Sequence, residues 1–249
     1  ALPWGEGWRE VREGAGSSMK RRQRWGAALR SGARRGRNKV AGGIRALATA
    51  VAARAEPLTI AAVGDSLTQG YGLPADQGFV PQLQNWLTER GHDVVIINAG
   101  VSGDTTAGGL HRVDWTLSDG VDAMILALGG NDLLRGIPPE ASRSNLDGIL
   151  KTATAQSVDV LLVGLPAPGN YGPEYQAPFD SMYPELAPVY NALYFRDFLA
   201  GLSELPDRAV AIRKYMQADG SHPNADGVAL IVEAMGPTVE QLIDRAAES

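Results

Sequence analysis

Three short stretches carry residue types that can do acyl chemistry together. Gly64-Asp65-Ser66-Leu67 brings a serine hydroxyl straight after an apolar run, Gly129-Gly130-Asn131-Asp132 brings a neutral amide in a glycine turn, and Asp219-Gly220-Ser221-His222 brings an imidazole three residues after a carboxylate. A serine hydroxyl is a poor nucleophile at neutral pH. It needs a base within hydrogen-bond reach, and the base needs an orienting partner. Three histidines are available. His92 follows Gly91 in a helix-to-strand turn and reads as a solvated turn residue. His111 stands beside Arg112 in a predicted helix and reads as a surface or packing residue. His222 differs, because Asp219 at that spacing can reach Nδ1 and leave Nε2 facing outward. The stretch Asp219–Asn224 equally fits the first turn of a helix, with Asn224 as its cap.

A tetrahedral oxyanion needs preorganised donors. The candidates are the backbone N–H of Ser66, the N–H of Gly103, where no side chain blocks approach, and the amide of Asn131. A tight turn and a helix cap are the plainer uses of Gly103 and Asn131. Asp65 and Asp104 stand beside strand ends and read as structural acceptors for local N–H groups. The chain has no cysteine, which excludes a thiolate nucleophile, a disulfide and thiolate metal ligation.

These residues need elements to hold them. Leu58–Val63, Val94–Ile97, Ala123–Leu128 and Val158–Leu165 are short apolar runs bounded by Gly, Pro or polar residues, and read as buried strands. Between them, Phe79–Arg90, Thr105–Leu117 and Pro139–Gln156 have helical spacing of apolar residues. Tyr171–Tyr190 is aromatic and proline-rich and reads as helix with loops. Asn224–Ala247 is a final helix. Apolar strands alternating with helices predict a parallel sheet covered on both faces, an α/β class. Ligands of such sheets bind at the carboxyl ends of the strands, which is where the polar glycine-bearing stretches fall.

The chain of 249 residues is 44% hydrophobic, enough for a sizeable core. Its charge is uneven. Residues 1–55 hold 13 Lys and Arg against 3 Asp and Glu, a net +10, whereas residues 56–249 carry a net -15. The acidic body should repel nucleic acid. The division predicts a basic N-terminal extension, 1–55, and a folded domain, 56–249. Met19-Lys20-Arg21-Arg22, the apolar Ala46–Ala52 and Ala53-Arg54-Ala55 outline an export signal, hence a periplasmic or secreted address. A disordered tail on a cytoplasmic protein, or an upstream stretch outside the working protein, are the alternatives. No run of about 18 apolar residues predicts a transmembrane span.

Taken in order, Gly64-Asp65-Ser66-Leu67, Ser102-Gly103-Asp104-Thr105, Gly129-Gly130-Asn131-Asp132 and Asp219-Gly220-Ser221-His222-Pro223 resemble the four blocks of the SGNH, or GDSL, hydrolases. The resemblance runs from about Leu58 to Leu242. It is nearest to the bacterial esterase, thioesterase and lysophospholipase branch, which includes arylesterases. It implies a flavodoxin-like three-layer α/β/α sandwich with an open site. It implies Ser66 as nucleophile, His222 as base and Asp219 as its orienter, with Ser66 N–H, Gly103 N–H and the Asn131 amide as oxyanion hole. It implies a small acyl ester as substrate and no metal or organic cofactor. Thr68 stands where the α/β-hydrolase elbow requires glycine, which argues against that fold. Tyr171, Phe179 and Tyr183 are candidates for an acyl groove, with core packing as the alternative. Two other functions fit parts of the pattern: a carbohydrate O-deacetylase of the same family, and a non-catalytic flavodoxin-like module cradling a phosphate on Gly64–Gly70. The second has no use for the Asp219–His222 pair.

Overall fold

The computed structural model describes residues 56–118 and 120–249; the basic extension, with its candidate signal, lies outside the described residues. In chain order the elements are β1 (Leu58–Gly64), α1 (Ser66–Gln69), α2 (Phe79–Glu89), β2 (Val94–Gly100), α3 (Thr106–Thr116), β3 (Ala123–Ala127), α4 (Gly130–Leu134) and α5 (Pro139–Ala155). They continue with β4 (Asp159–Val163), a 3-10 turn (Gly169–Tyr171), α6 (Pro173–Val189), β5 (Leu193–Phe195), α7 (Ala200–Ser203), α8 (Arg208–Tyr215) and α9 (Ala225–Glu248).

The strands form one parallel sheet in the order β2-β1-β3-β4-β5. Side chains alternate along each strand, and both faces are apolar. Ile60, Ala62, Ile96 and Ile125 pack under α2 and α9, while Ala61, Val63, Met124 and Leu126 pack under α3, α5 and α6. A strand buried on both sides has no polar alternation, which is why β1 reads as an unbroken apolar run. The result is the expected three-layer α/β/α arrangement. Edge strand β2 keeps Val94 and Ile96 buried but leaves Val95 and Ile97 exposed.

Helix ends follow local chemistry. Thr105 caps α3 by accepting from Gly108 N–H, Pro139 opens α5 with Glu140 in the first turn, and Asn224 caps α9 by accepting from Gly227 N–H. The region read as helix with loops is one helix, α6, despite Pro178, Pro184 and Pro188 inside it. Phe179, Met182, Tyr183 and Leu186 recur at helical spacing and are all buried. Burying such side chains contributes about 1.5–3 kcal/mol each, which offsets the ladder bonds the prolines forfeit.

The order of strands decides where a site can form. The chain moves outward from β1 to β2 and then crosses back to β3, on the other side of β1. Gly64 is level with Gly100 on one side and Ala127 on the other. The chain therefore leaves all three strands at one height, at a topological switch point.

Candidate active site

The serine stands at the exit of β1. Asp65 caps α1, its Oδ1 accepting from Leu67 N–H at 3.0 Å, and Ser66 is the first helical residue. The turn is tight because α1 lies directly on the strand ends. A Cβ on Gly64 would come within 2.0 Å of Thr68 Oγ1 and 2.9 Å of the Ala127 carbonyl, so only glycine fits. Arg112 ties this exit to the next one: its Nη2 donates to the Gly64 carbonyl at 3.1 Å and its Nε to Asp104 Oδ2 at 2.8 Å. Asp65 is 5% exposed. Burial raises its carboxyl above the ordinary value, opposed by the Leu67 N–H, the nearby imidazole of His222 and the Asn131 amide.

The imidazole stands on the segment between α8 and α9. Asp219 organises it locally, Oδ1 accepting from the backbone N–H groups of Ser221 (2.9 Å) and His222 (3.0 Å), and Oδ2 meeting His222 Nδ1 at 2.6 Å. These contacts, the Ser221 N–H first, pull the Asp219 carboxyl down to about 2. A carboxylate on Nδ1 fixes the tautomer that leaves Nε2 as acceptor. His222 Nε2 lies 2.9 Å from Ser66 Oγ, across 156 residues of sequence. Both uses of the stretch coexist, since Asn224 caps α9 while Asp219 and His222 pair upstream of it.

The candidate oxyanion donors ring the same exits. Asn131 Nδ2 donates to Asp65 Oδ2 at 3.2 Å. One amide hydrogen is thereby held and the second remains for another acceptor. Among the described residues the N–H groups of Ser66 and Gly103 have no hydrogen-bond partner. Arg135 Nη2 donates to the Gly103 carbonyl at 2.7 Å and pins that turn. Beneath them sits Asp132, fully buried, which accepts from Thr106 N–H (2.8 Å), Thr106 Oγ1 (2.5 Å) and Ser142 Oγ (2.8 Å). This network locks α4, and with it Asn131, to α3 and α5.

The structure brings Ser66, Asp219 and His222 into one hydrogen-bonded line and puts Gly103 and Asn131 at neighbouring strand exits. The groove residues fare differently. Phe179 is fully buried, and Tyr183 is 2% exposed with its hydroxyl donating to the Leu128 carbonyl at 3.0 Å. Both belong to the core beside α3 and α5, so the expectation that they line an acyl groove is corrected. Tyr171 is 38% exposed and packs on Tyr175. His92 pairs with Glu240 at 3.0 Å, and His111 is exposed on α3. Arg112, Arg135, Tyr71 and Gln217 also reach these loops and are not marked by the sequence. Nothing in their local sequence separates them from surface residues; the loops they bridge are distant in the chain.

A family model described as the GDSL-like lipase/acylhydrolase family matches residues 62–230. Esterase TesA of Pseudomonas aeruginosa is 37% identical over 186 residues, covering 74% of this chain and 89% of that protein. The thioesterase 1/protease 1/lysophospholipase L1 of Escherichia coli is 33% identical over 201 residues, covering 80% of this chain and 90% of that protein. The crystal structure of a psychrotrophic esterase, EstA, from Pseudoalteromonas sp., inhibited by monoethylphosphonate, superposes with a TM-score of 0.68 at 31% identity, over 75% of this chain and 98% of that one. With the exits of β1 and β3 and the loop before α9 arranged as described, these matches settle the identity: the chain belongs to the GDSL-like lipase/acylhydrolase family.

Proposed function

We propose that Ser66, His222 and Asp219 carry out the chemistry of this carboxylic ester hydrolase. Ser66 Oγ attacks the carbonyl carbon of an acyl ester while His222 Nε2 takes its proton. The oxyanion that forms is held by the N–H groups of Ser66 and Gly103 and by the free amide hydrogen of Asn131. The intermediate collapses to an acyl-enzyme as His222 returns the proton to the leaving alcohol or thiol. Water, deprotonated by the same imidazole, then releases the acid. The observation that carries this reading is the 2.9 Å approach of His222 Nε2 to Ser66 Oγ, with Asp219 at 2.6 Å behind it.

The substrates this reading favours are acyl esters, thioesters and lysophospholipids, the classes in the names of the relatives. The acidic body gives no electrostatic footing for nucleic acid. Among the described residues no helix is long and apolar enough to cross a membrane. A periplasmic or secreted address rests on the signal outlined in residues 19–55, and cell fractionation tests it. The chemistry is tested by a fluorophosphonate probe with peptide mapping. Covalent label on Ser66 is expected; a folded protein that takes no label would return the chain to the binding-module alternative. A p-nitrophenyl ester series run beside acetylated xylan separates acyl-chain hydrolysis from carbohydrate deacetylation.

A further inference from the structure

Gln217 has no part in the chemistry above, yet it touches both loops that must meet. Its side-chain Nε2 donates to the Tyr71 carbonyl at 2.8 Å and to the Pro223 carbonyl at 3.0 Å. Its backbone N–H donates to the His222 carbonyl at 2.8 Å, and its own carbonyl accepts from Gly220 N–H at 3.0 Å. One residue thus grips the chain on both sides of the imidazole. At the other end of the amide, Tyr71 N–H donates to the Ser66 carbonyl at 3.1 Å. The Tyr71 ring also lies against the imidazole, with centroids 4.8 Å apart and planes tilted by 42°. These links close a circuit from the Ser66 carbonyl through Tyr71, Gln217 and His222 back to Ser66 Oγ.

We propose that Gln217 is a positioning residue that sets the separation of the Ser66 hydroxyl and the His222 imidazole, by tying the Tyr71 turn to the His222 loop. The inference rests on the Ser66–His222 esterase reading. The physical need is plain. Ser66 is fixed by a buried strand, but the loop carrying His222 is exposed, and exposed backbone hydrogen bonds open readily. A primary amide suits the task because it offers two N–H donors to two carbonyls. A carboxylate of the same length offers none when ionised, and methionine keeps the length without the donors. The fit is close on the far side as well. Gly72 has φ +75°, and a Cβ there would lie 2.2 Å from Gln217 Oε1.

The test uses Gln217→Met and Gln217→Glu in the full chain, with Gly72→Ala to press on the amide from the other side. A misplacement of about 1 Å between reacting groups costs up to about 10²-fold, so kcat should fall about 10- to 100-fold while KM stays within about twofold. The rate of fluorophosphonate labelling should fall in parallel. Rates are taken per titrated active site, so that a loss of folded protein does not count as a loss of turnover. A merely structural role would lower the melting temperature and leave kcat per site unchanged. Values of kcat per site within about twofold of wild type in both Gln217→Met and Gly72→Ala overturn the proposal. Should Gln217→Met fail to fold, Gly72→Ala supplies the same readout. Ser66→Ala run alongside separates the two levels: if it keeps activity, the esterase reading fails; if it is dead while the Gln217 variants are unaffected, only the positioning role fails.

Discussion

Ser66 leaves a central strand whose residues Ile60 to Val63 are wholly buried, and the aspartate capping its helix is 5% exposed. His222 leaves a surface loop between α8 and α9, and the aspartate orienting it keeps 40% of its side chain exposed. The proposed nucleophile is held by tertiary packing and buried polar groups. The proposed base is held by local turn geometry and a few cross-links. One reaction therefore draws on two kinds of support, and a substitution should reveal which kind it removes. Changes that remove packing or buried hydrogen bonds beneath Ser66 should cost stability as well as rate; changes in the loop should cost rate alone.

The largest effect tests whether the halves act as one unit. Ser66→Ala and His222→Ala should each lower kcat by about 10⁴-fold or more, because a nucleophile without its base is worth little more than neither. The melting temperature, followed by circular dichroism, should move by no more than about 2 °C, since neither side chain is part of the core. A loss below about tenfold in either variant would break the pairing outright.

The next effect separates the two supports. Asp132→Ala strips the partner from the Thr106 N–H, the Thr106 hydroxyl and the Ser142 hydroxyl, all buried around it. At about 1–3 kcal/mol for each buried group left unsatisfied, the fold should lose about 3 kcal/mol or more in a denaturant titration. That corresponds to a melting temperature lower by roughly 6–12 °C. Asp219→Ala offers the contrast. Its solvent-screened carboxylate should be nearly silent in the same titration while kcat falls about 10³- to 10⁴-fold. Equal melting temperatures for the two variants would erase the distinction between the halves.

The same contrast explains what could be read without coordinates. Strand β1 was legible because burial on both faces demands an unbroken apolar run, and the family blocks located each exit. The apolar run of β2 ends at Ile97, but the strand continues to Gly100 because Asn98–Gly100 pair with Ala62–Gly64, a register that polar residues and glycine do not advertise. Strand β5 has three half-buried residues and no apolar run to betray it. Within the site, Ser66, Asp219 and His222 are marked by residue type and local spacing. Gln217 and Arg112 are not, because their work lies in links of 146 and 48 residues to other loops. Phe179 and Tyr183 show the reverse error: aromatic residues at helical spacing fill the core here.

A smaller effect probes the nucleophile side without removing its packing. Burial raises the Asp65 carboxyl above 3.8, so the folded protein binds this proton more tightly than the unfolded chain. The ionised group therefore costs stability, and the cost sets in as the pH rises from the unfolded value through the raised folded value. Asp65→Asn removes that cost. Its Oδ1 can still accept from Leu67 N–H, but its amide now faces the amide of Asn131, which must turn its oxygen inward. Stability at neutral pH should hold or rise, while kcat falls roughly tenfold or more through loss of one proposed oxyanion donor. A stable variant with full kcat would remove Asn131 from the oxyanion hole.

The smallest effect is a slope, and it sharpens the comparison from the loop side. Asp219 sits at about 2, below its ordinary 3.8, held there first by the Ser221 N–H and then by contacts with His222. A depressed carboxylate contributes to the folded state at every pH above the unfolded value and loses that contribution only as the pH falls through about 2, and solvent screening keeps the contribution small here. From neutrality down to about pH 4 the Asp219 carboxylate is therefore ionised, and the small difference in unfolding free energy between the wild type and Asp219→Ala should not change with pH over that range. Asp65 should behave the other way. Its carboxyl is raised by burial, so the gap between the wild type and Asp65→Asn should narrow as the pH falls and the buried charge is protonated. Denaturant titrations at a series of pH values check both. A flat profile for Asp219 beside a sloping one for Asp65 keeps the exposed loop and the buried half apart, and matching profiles would merge them.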